Sequence, residues 1–327
     1  MKKPVLFILS VDTEEEWDWS GPFPNENFSV DNVKEVPAFQ TFCQELGIKP
    51  TYFVDYAVAN NRQSAQILKE LNQNYCEIGA HLHPWANPPF YHETSEESSH
   101  VINLPLENVE HKLDLLLSKI SDELHVKAKS FRTGRWGING DILKLLYYKG
   151  IDVDSSVYPL YKTKYFSCEK APNKPYWPDF DDTNLIGKQK NIIEIPVTVG
   201  FNRSNNRLSQ KLHKLFECKP FSWLRINGIL WHTRLLRKLY LSPELCSGKE
   251  MKMLLDSQLK KGHTVFHMYL HSSSLLENIT GLSVQENARE HYCQQIKIAV
   301  EHLKEKTNVT FCTISEAKTL LSQNELD

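Results

Sequence analysis

Short apolar runs alternate along this chain with longer stretches in which apolar side chains return every three or four positions. The runs PVLFILSV (4–11), PTYFVD (50–55), CEIGAH (76–81), AKSFR (128–132), IDVDSS (151–156), NIIEIPVTV (191–199), TVFHMYLH (264–271) and VTFCTI (309–314) have the length and β-branched content of buried strands. Between many of them lie helical patterns: SAQILKELN, ENVEHKLDLLLSKISDELH, GDILKLLYYKG and QENAREHYCQQIKIAVEHLKEK. In the second, Val109, Leu113, Leu116, Leu117 and Ile120 mark out one buried face. Strand and helix in turn predict parallel βαβ units, and eight strands predict a (β/α) barrel, with an open doubly wound sheet as the alternative.

One region breaks the alternation. Residues 200–248 are longer than an ordinary connection between two strands. Within 201–241 stand nine basic residues (Arg203, Arg207, Lys211, Lys214, Lys219, Arg225, Arg234, Arg237, Lys238) against one acid, Glu217, interleaved with Trp223, Leu224, Ile229, Leu230, Trp231, Leu235, Leu236 and Leu239. The pattern fits a mainly helical insertion packed on the barrel with its basic face in solvent. The sharper alternative is a surface for acidic lipid headgroups or a phosphorylated carrier at a membrane's inner face. The whole of 1–327 is then one domain carrying this insertion.

Composition narrows the class little. A formal net charge of −2 with 24% charged residues gives no reason to expect nucleic acid as partner. Seven scattered cysteines without a C-x-x-C pair suggest reduced thiols, neither a disulfide framework nor a cysteine zinc site. MKKPVLFILSV stops at Asp12 and enters DTEEEWDW, so a first strand is expected there in place of a signal peptide. A cytoplasmic location is the expectation.

The chemistry collects where strands end. Asp12 and Glu14 close the first run, His81 and His83 the third, Arg132 and Arg135 the fourth, Asp154 the fifth and His271 the seventh. Loops following barrel strands converge on one rim, where catalytic groups gather. His81 and His83, two apart on an extended segment, point to one face. With Glu14 they offer two nitrogens and an oxygen to a divalent cation, leaving positions open for water and substrate, as a catalytic metal requires. Asp12 can then take a proton from water, Arg132 can hold that base ionised, and His271 can protonate a leaving group. This combination describes amide or ester hydrolysis.

The segments SVDTEEEW, EIGAHLHPW, SFRTGRWG, DVDSSVYP and MYLHSSSL occur in the order of the polysaccharide deacetylase superfamily (NodB homology, carbohydrate esterase family 4). The chain resembles the branch with VDTEE and HLHPW motifs, over roughly residues 4–315. The resemblance implies a distorted (β/α) barrel of seven to eight strands that removes N- or O-acetyl groups from sugars. It implies Zn²⁺ as cofactor, or Co²⁺, Ni²⁺ or Mn²⁺, and a carbohydrate substrate, free or carrier-linked. Asp12 corresponds to the family's base, Arg132 to the cation of its third motif, and His271 to its general acid. A backbone N–H near Trp136 corresponds to the oxyanion donor. Two departures stand out: Thr13 occupies the place of the family's second acid, and His81 and His83 are closer together than the family's pair.

Each candidate also has a plainer reading. Asp12 can cap a turn, Glu15 and Glu16 compete with Glu14 as ligands, and Arg135 rivals Arg132. Asp154 can orient an active-site group or simply hydrogen-bond the serines after it. Trp17, Trp85 and Trp136, with Trp19, can form sugar-stacking walls or pack as core. Two other functions share the pattern. A non-catalytic carbohydrate-binding or scaffold protein would explain the departures, and a glycoside hydrolase could use paired carboxylates from DTEEE. The latter leaves His81, His83 and Arg132 without roles.

Overall fold

A computed structural model describes residues 2–24, 26–71, 73–202, 236–281 and 286–324. Strand β1 (Lys3–Thr13) is apolar on both faces and buried along most of its length, the signature of a central parallel strand. It pairs on one edge with β9 (Val265–His271). On the other edge it pairs first with β10 (Thr307–Phe311) and then with β2 (Pro50–Val54). Beyond β2 follow β3 (Glu77–Leu82), β4 (Ser130–Thr133), β5 (Val153–Asp154) and β6 (Ile193–Glu194), and every pairing is parallel. The result is an eight-stranded sheet curled into a distorted (β/α) barrel.

The curl is nearly closed. Thr198 N–H donates to the His267 carbonyl at 2.9 Å, Leu241 N–H to Thr198 at 2.9 Å, and Tyr269 N–H to Leu241 at 3.2 Å. Irregular backbone thus bridges β6 to β9. The expected strand over 191–199 is broken here into β6 and β7 (Val199–Phe201). Pro196 lies between them, and proline brings no N–H to a ladder. Strand β7 pairs antiparallel with β8 (Lys238–Tyr240) in a separate ribbon. Residues 203–235, between these two strands, and with them most of the basic insertion, lie outside the described residues.

Helices α1 (Val36–Leu46), α2 (Tyr56–Asn60), α3 (Arg62–Glu70), α4 (Leu106–Leu124), α5 (Gly140–Tyr148), α6 (Gly248–Lys260), α7 (Ala288–Lys306) and α8 (Ile314–Asn324) surround the sheet. The run 309–314 was expected to be strand throughout, yet its end starts α8. Thr313 Oγ1 accepts from Glu316 N–H and Glu316 returns the bond to Thr313 N–H, a reciprocal cap. Along β1 the period of two sorts the side chains. Val5, Phe7, Leu9 and Val11 join the main core with Phe39, Leu68, Leu113, Leu254 and Leu303 from the helices. Ile8 packs with Phe53, Val153 and Ile193 and with Ile314 and Ala317 of α8. Ser10 and Asp12, on the face of Ile8, carry polar groups toward the strand ends.

Candidate active site

Adjacent strands place the polar residues side by side. Asp12 pairs in register with His271 across β1 and β9, and His81 with Arg132 across β3 and β4. Glu14 follows the end of β1. One of its oxygens, Oε2, lies 3.4 Å from His81 Nε2 and 3.3 Å from His83 Nε2. Atoms about 2.1 Å from one tetrahedral ion stand roughly 3.4 Å apart, so this spacing is that of a ligand set. His81 Nδ1 donates to the Arg132 carbonyl at 3.1 Å, which leaves Nε2 as the lone-pair nitrogen. That nitrogen is buried without a hydrogen-bond partner among the described residues. Two imidazoles and a carboxylate with an orphaned buried acceptor fit a divalent cation of the zinc type.

Asp12 Oδ1 meets Arg132 Nη1 at 2.5 Å. Arg132 Nε and Nη2 donate to the carbonyl and hydroxyl of Ser155, and its guanidinium lies over the Phe53 ring. Burial pushes the Asp12 carboxyl up, but Arg132 foremost, then His81 and His271, hold it below its ordinary value. Behind the arginine, His267 is driven down to about 3 by burial and by Arg132, and it takes a hydrogen bond from Ser10 Oγ at 2.8 Å as a neutral ring. For Glu14, burial again raises the carboxyl and His271, His81 and His83 more than offset it.

His271 Nε2 faces Asp12 Oδ2 at 3.7 Å. Its other side is held by Glu244, which accepts from His271 N–H at 2.9 Å and from Nδ1 at 3.0 Å. Burial lowers this imidazole, and Glu244 first, then Glu14, raise it past that loss to about 10. Trp19 meets the ring edge-on at 4.5 Å.

Above these groups opens a cavity of about 410 Å³ whose wall includes Glu14, His83, Glu244 and His271. Trp17, Trp85, Arg135 and Trp136 line it, as do Trp19, Tyr158, Tyr161, Tyr165 and Tyr269. Tyr158 and Tyr269 share a hydroxyl–hydroxyl bond of 2.7 Å. Asp12, His81 and Arg132 lie just behind the wall. Arg135 points away from Asp12, to Glu96 Oε2 at 2.9 Å and Ser99 Oγ at 2.8 Å.

Two sequence-based expectations need correction. Asp154 does not line the cavity. It is fully buried, accepts from Ser156 Oγ at 2.7 Å, and shares a hydrogen bond with Glu194, whose own carboxyl is pushed well up by burial and by Asp154. The Trp136 and Gly137 N–H groups are taken by the carbonyls of Thr133 and Ser156, so neither is a free oxyanion donor. Glu244 went unnoticed in the sequence, where nothing marks it. Glu15 stood only as a rival ligand, yet its carboxylate lies 2.9 Å from His83 Nδ1 and accepts from Trp85 Nε1.

No protein-family model matches the chain, and no curated protein matches its sequence. Solved structures do match in three dimensions. One is a protein of Parabacteroides distasonis assigned as a glycoside hydrolase/deacetylase, with a TM-score of 0.63 and 13% identity over 98% of this chain and 71% of that one. Another is a protein of Mycobacterium smegmatis assigned as a polysaccharide deacetylase, with a TM-score of 0.56 and 11% identity over 99% of this chain and 92% of that one. At such identities the likeness is one of fold. The chain has the curled (β/α) barrel of the polysaccharide deacetylases.

Proposed function

We propose that this protein is a metal-dependent hydrolase that removes acetyl or similarly small acyl groups from an amino sugar in a glycan or glycan precursor. The observation that carries the reading is the convergence of Glu14, His81 and His83 on one point beside the Asp12–Arg132 pair and His271. Two carboxylates, three imidazoles and a held cation exceed what packing requires, and they gather at and just behind the wall of an aromatic-lined cavity.

Glu14, His81 and His83 would hold the metal, zinc being the best match to this donor set. When bound, it acidifies water and polarises the acyl carbonyl. Asp12, kept ionised by Arg132, accepts the proton of the attacking water. His271, protonated through neutral pH, delivers a proton to the departing amine nitrogen or alkoxide oxygen. Glu244 keeps that ring facing Asp12. The C–N or C–O bond breaks, water supplies the carboxylate oxygen, and the sugar leaves with its amine or hydroxyl restored. Trp17, Trp19 and Trp136 offer apolar faces on which a sugar ring can stack.

The test is metal content and acetate release together. Wild type is expected to hold about one zinc, cobalt, nickel or manganese per chain and to release acetate from N-acetylglucosamine oligomers or an aryl acetate. His83→Ala should lose both. A wild type that stays metal-free when divalent ions are added overturns the reading and leaves a carbohydrate-binding protein on a hydrolase fold.

A further inference from the structure

We propose that Glu15, fixed by Trp85, is a positioning residue for His83, holding the Nδ1 proton of that imidazole so that Nε2 faces Glu14 and His81. The inference rests on the reading of Glu14, His81 and His83 as metal ligands and adds the group that aims one of them.

Consecutive acids at the end of β1 face different ways. Glu14 turns to the two Nε2 atoms, while Glu15, fully buried, turns behind the His83 ring. Both Glu15 oxygens stand 2.9–3.0 Å from His83 Nδ1. A carboxylate only accepts, so the Nδ1 position carries the proton and Nε2 is left as the donor atom toward a metal. Trp85 Nε1 donates to Glu15 Oε1 at 2.5 Å, and the Trp85 ring stacks on the His83 ring at 4.2 Å. Asp55, the cap of α2, lies beside Glu15. Its Oδ1 accepts from Val58 N–H at 2.8 Å, and its backbone N–H donates to the Thr13 carbonyl at 3.1 Å. Its remaining oxygen, Oδ2, is buried with no donor among the described residues, and the carboxyl meets Glu15. Carboxylates behind ligating histidines orient the ring and raise its basicity.

The same three groups could be used otherwise, because Glu15, Asp55 and His83 also lie close enough to hold a cation of their own. The Trp85 N–H already held by Glu15 favours positioning.

The two uses separate on titration of metal-free protein with Zn²⁺ and Co²⁺, read by calorimetry and by the visible absorption of bound Co²⁺. Wild type should take about one equivalent. Glu15→Gln should weaken binding about 10–100-fold and alter the Co²⁺ spectrum while the circular dichroism stays that of wild type. Asp55→Asn should keep the single equivalent of metal. If Glu15→Gln fails to fold, Glu15→Asp replaces it, since its carboxylate falls a methylene short of Nδ1 and should also weaken binding. Unchanged affinity in the Glu15 variant overturns the proposal, as does a second equivalent of metal that disappears in Asp55→Asn. One tightly bound metal indifferent to Glu15 overturns this inference alone, whereas a wild type that binds none brings down the hydrolase reading with it.

Discussion

Arg132 and Asp12 form an ion pair closed off from solvent, with the guanidinium almost wholly enclosed and the carboxylate 3% exposed. Among the described residues Arg132 is the arginine or lysine that pairs with Asp12, and its Nε and Nη2 donate to Ser155. Removing one member of such a pair leaves the other charge stranded, at a cost of about 3–5 kcal/mol. Asp12→Asn is therefore expected to lower unfolding free energy by about 3 kcal/mol or more in denaturant titration and to abolish acetate release. A variant of wild-type stability would mean that Arg132 has another counter-ion.

Gly134 sets a steric prediction. A Cβ at this position would lie 1.9 Å from His83 Cδ2 and 2.9 Å from the Leu82 carbonyl oxygen. The imidazole cannot swing aside, because Trp85 stacks on it and Glu15 holds Nδ1. Gly134→Ala should displace Nε2 and reduce metal affinity by about tenfold or more, the magnitude of losing a ligand's supporting contacts. Equilibrium dialysis against Zn²⁺ reads this directly, and unchanged affinity would show that the ring has room to yield.

His271 makes stability depend on pH. Its folded pKa, about 10, stands above the ordinary 6.5, because Glu244 and Glu14 outweigh the burial that lowers it. A group raised on folding contributes fully below its unfolded pKa and loses the contribution as pH climbs through the folded one. Wild type should thus lose stability between pH 6.5 and 10. In Glu244→Gln the loss should shrink and move to lower pH, together with the basic limb of kcat/KM. Parallel denaturation curves for both proteins across that range would contradict the assignment.

Lys112 ties down the loop that follows the ligand pair. It sits on the buried face of α4, where its ammonium donates to the carbonyls of Pro84, Asn87 and Pro89 at 2.9, 2.5 and 2.8 Å. Lys112→Met keeps the volume and strands three acceptors, which should cost about 2–4 kcal/mol. Faster amide exchange across residues 84–91 would accompany the loss. A melting temperature equal to that of wild type would show that water replaces the ammonium.

Much of the architecture was legible in the chain because it is local. The apolar runs of β1, β2, β3, β4 and β9 are buried on both faces, so their composition alone marks them, and the face of α4 repeats at helical spacing. Polar residues at the ends of those runs pointed to one rim for the same reason, since parallel strands all end on one side. Local pattern failed where a single residue redirected the backbone, at Pro196 and at the Thr313–Glu316 cap. It also failed wherever a partner arrived from a distant segment. Whether Glu14 or Glu15 faces the two Nε2 atoms depends on which way each leaves the strand, and Trp85, far away in sequence, holds Glu15 behind the His83 ring. Glu244 reaches His271 across 27 residues, and Asp154 turns from the cavity to Glu194. Residue type and spacing determined which chemistry could gather on the rim; tertiary packing decided which carboxylate meets which imidazole, because those bonds form only once distant backbone has closed around them and excluded water.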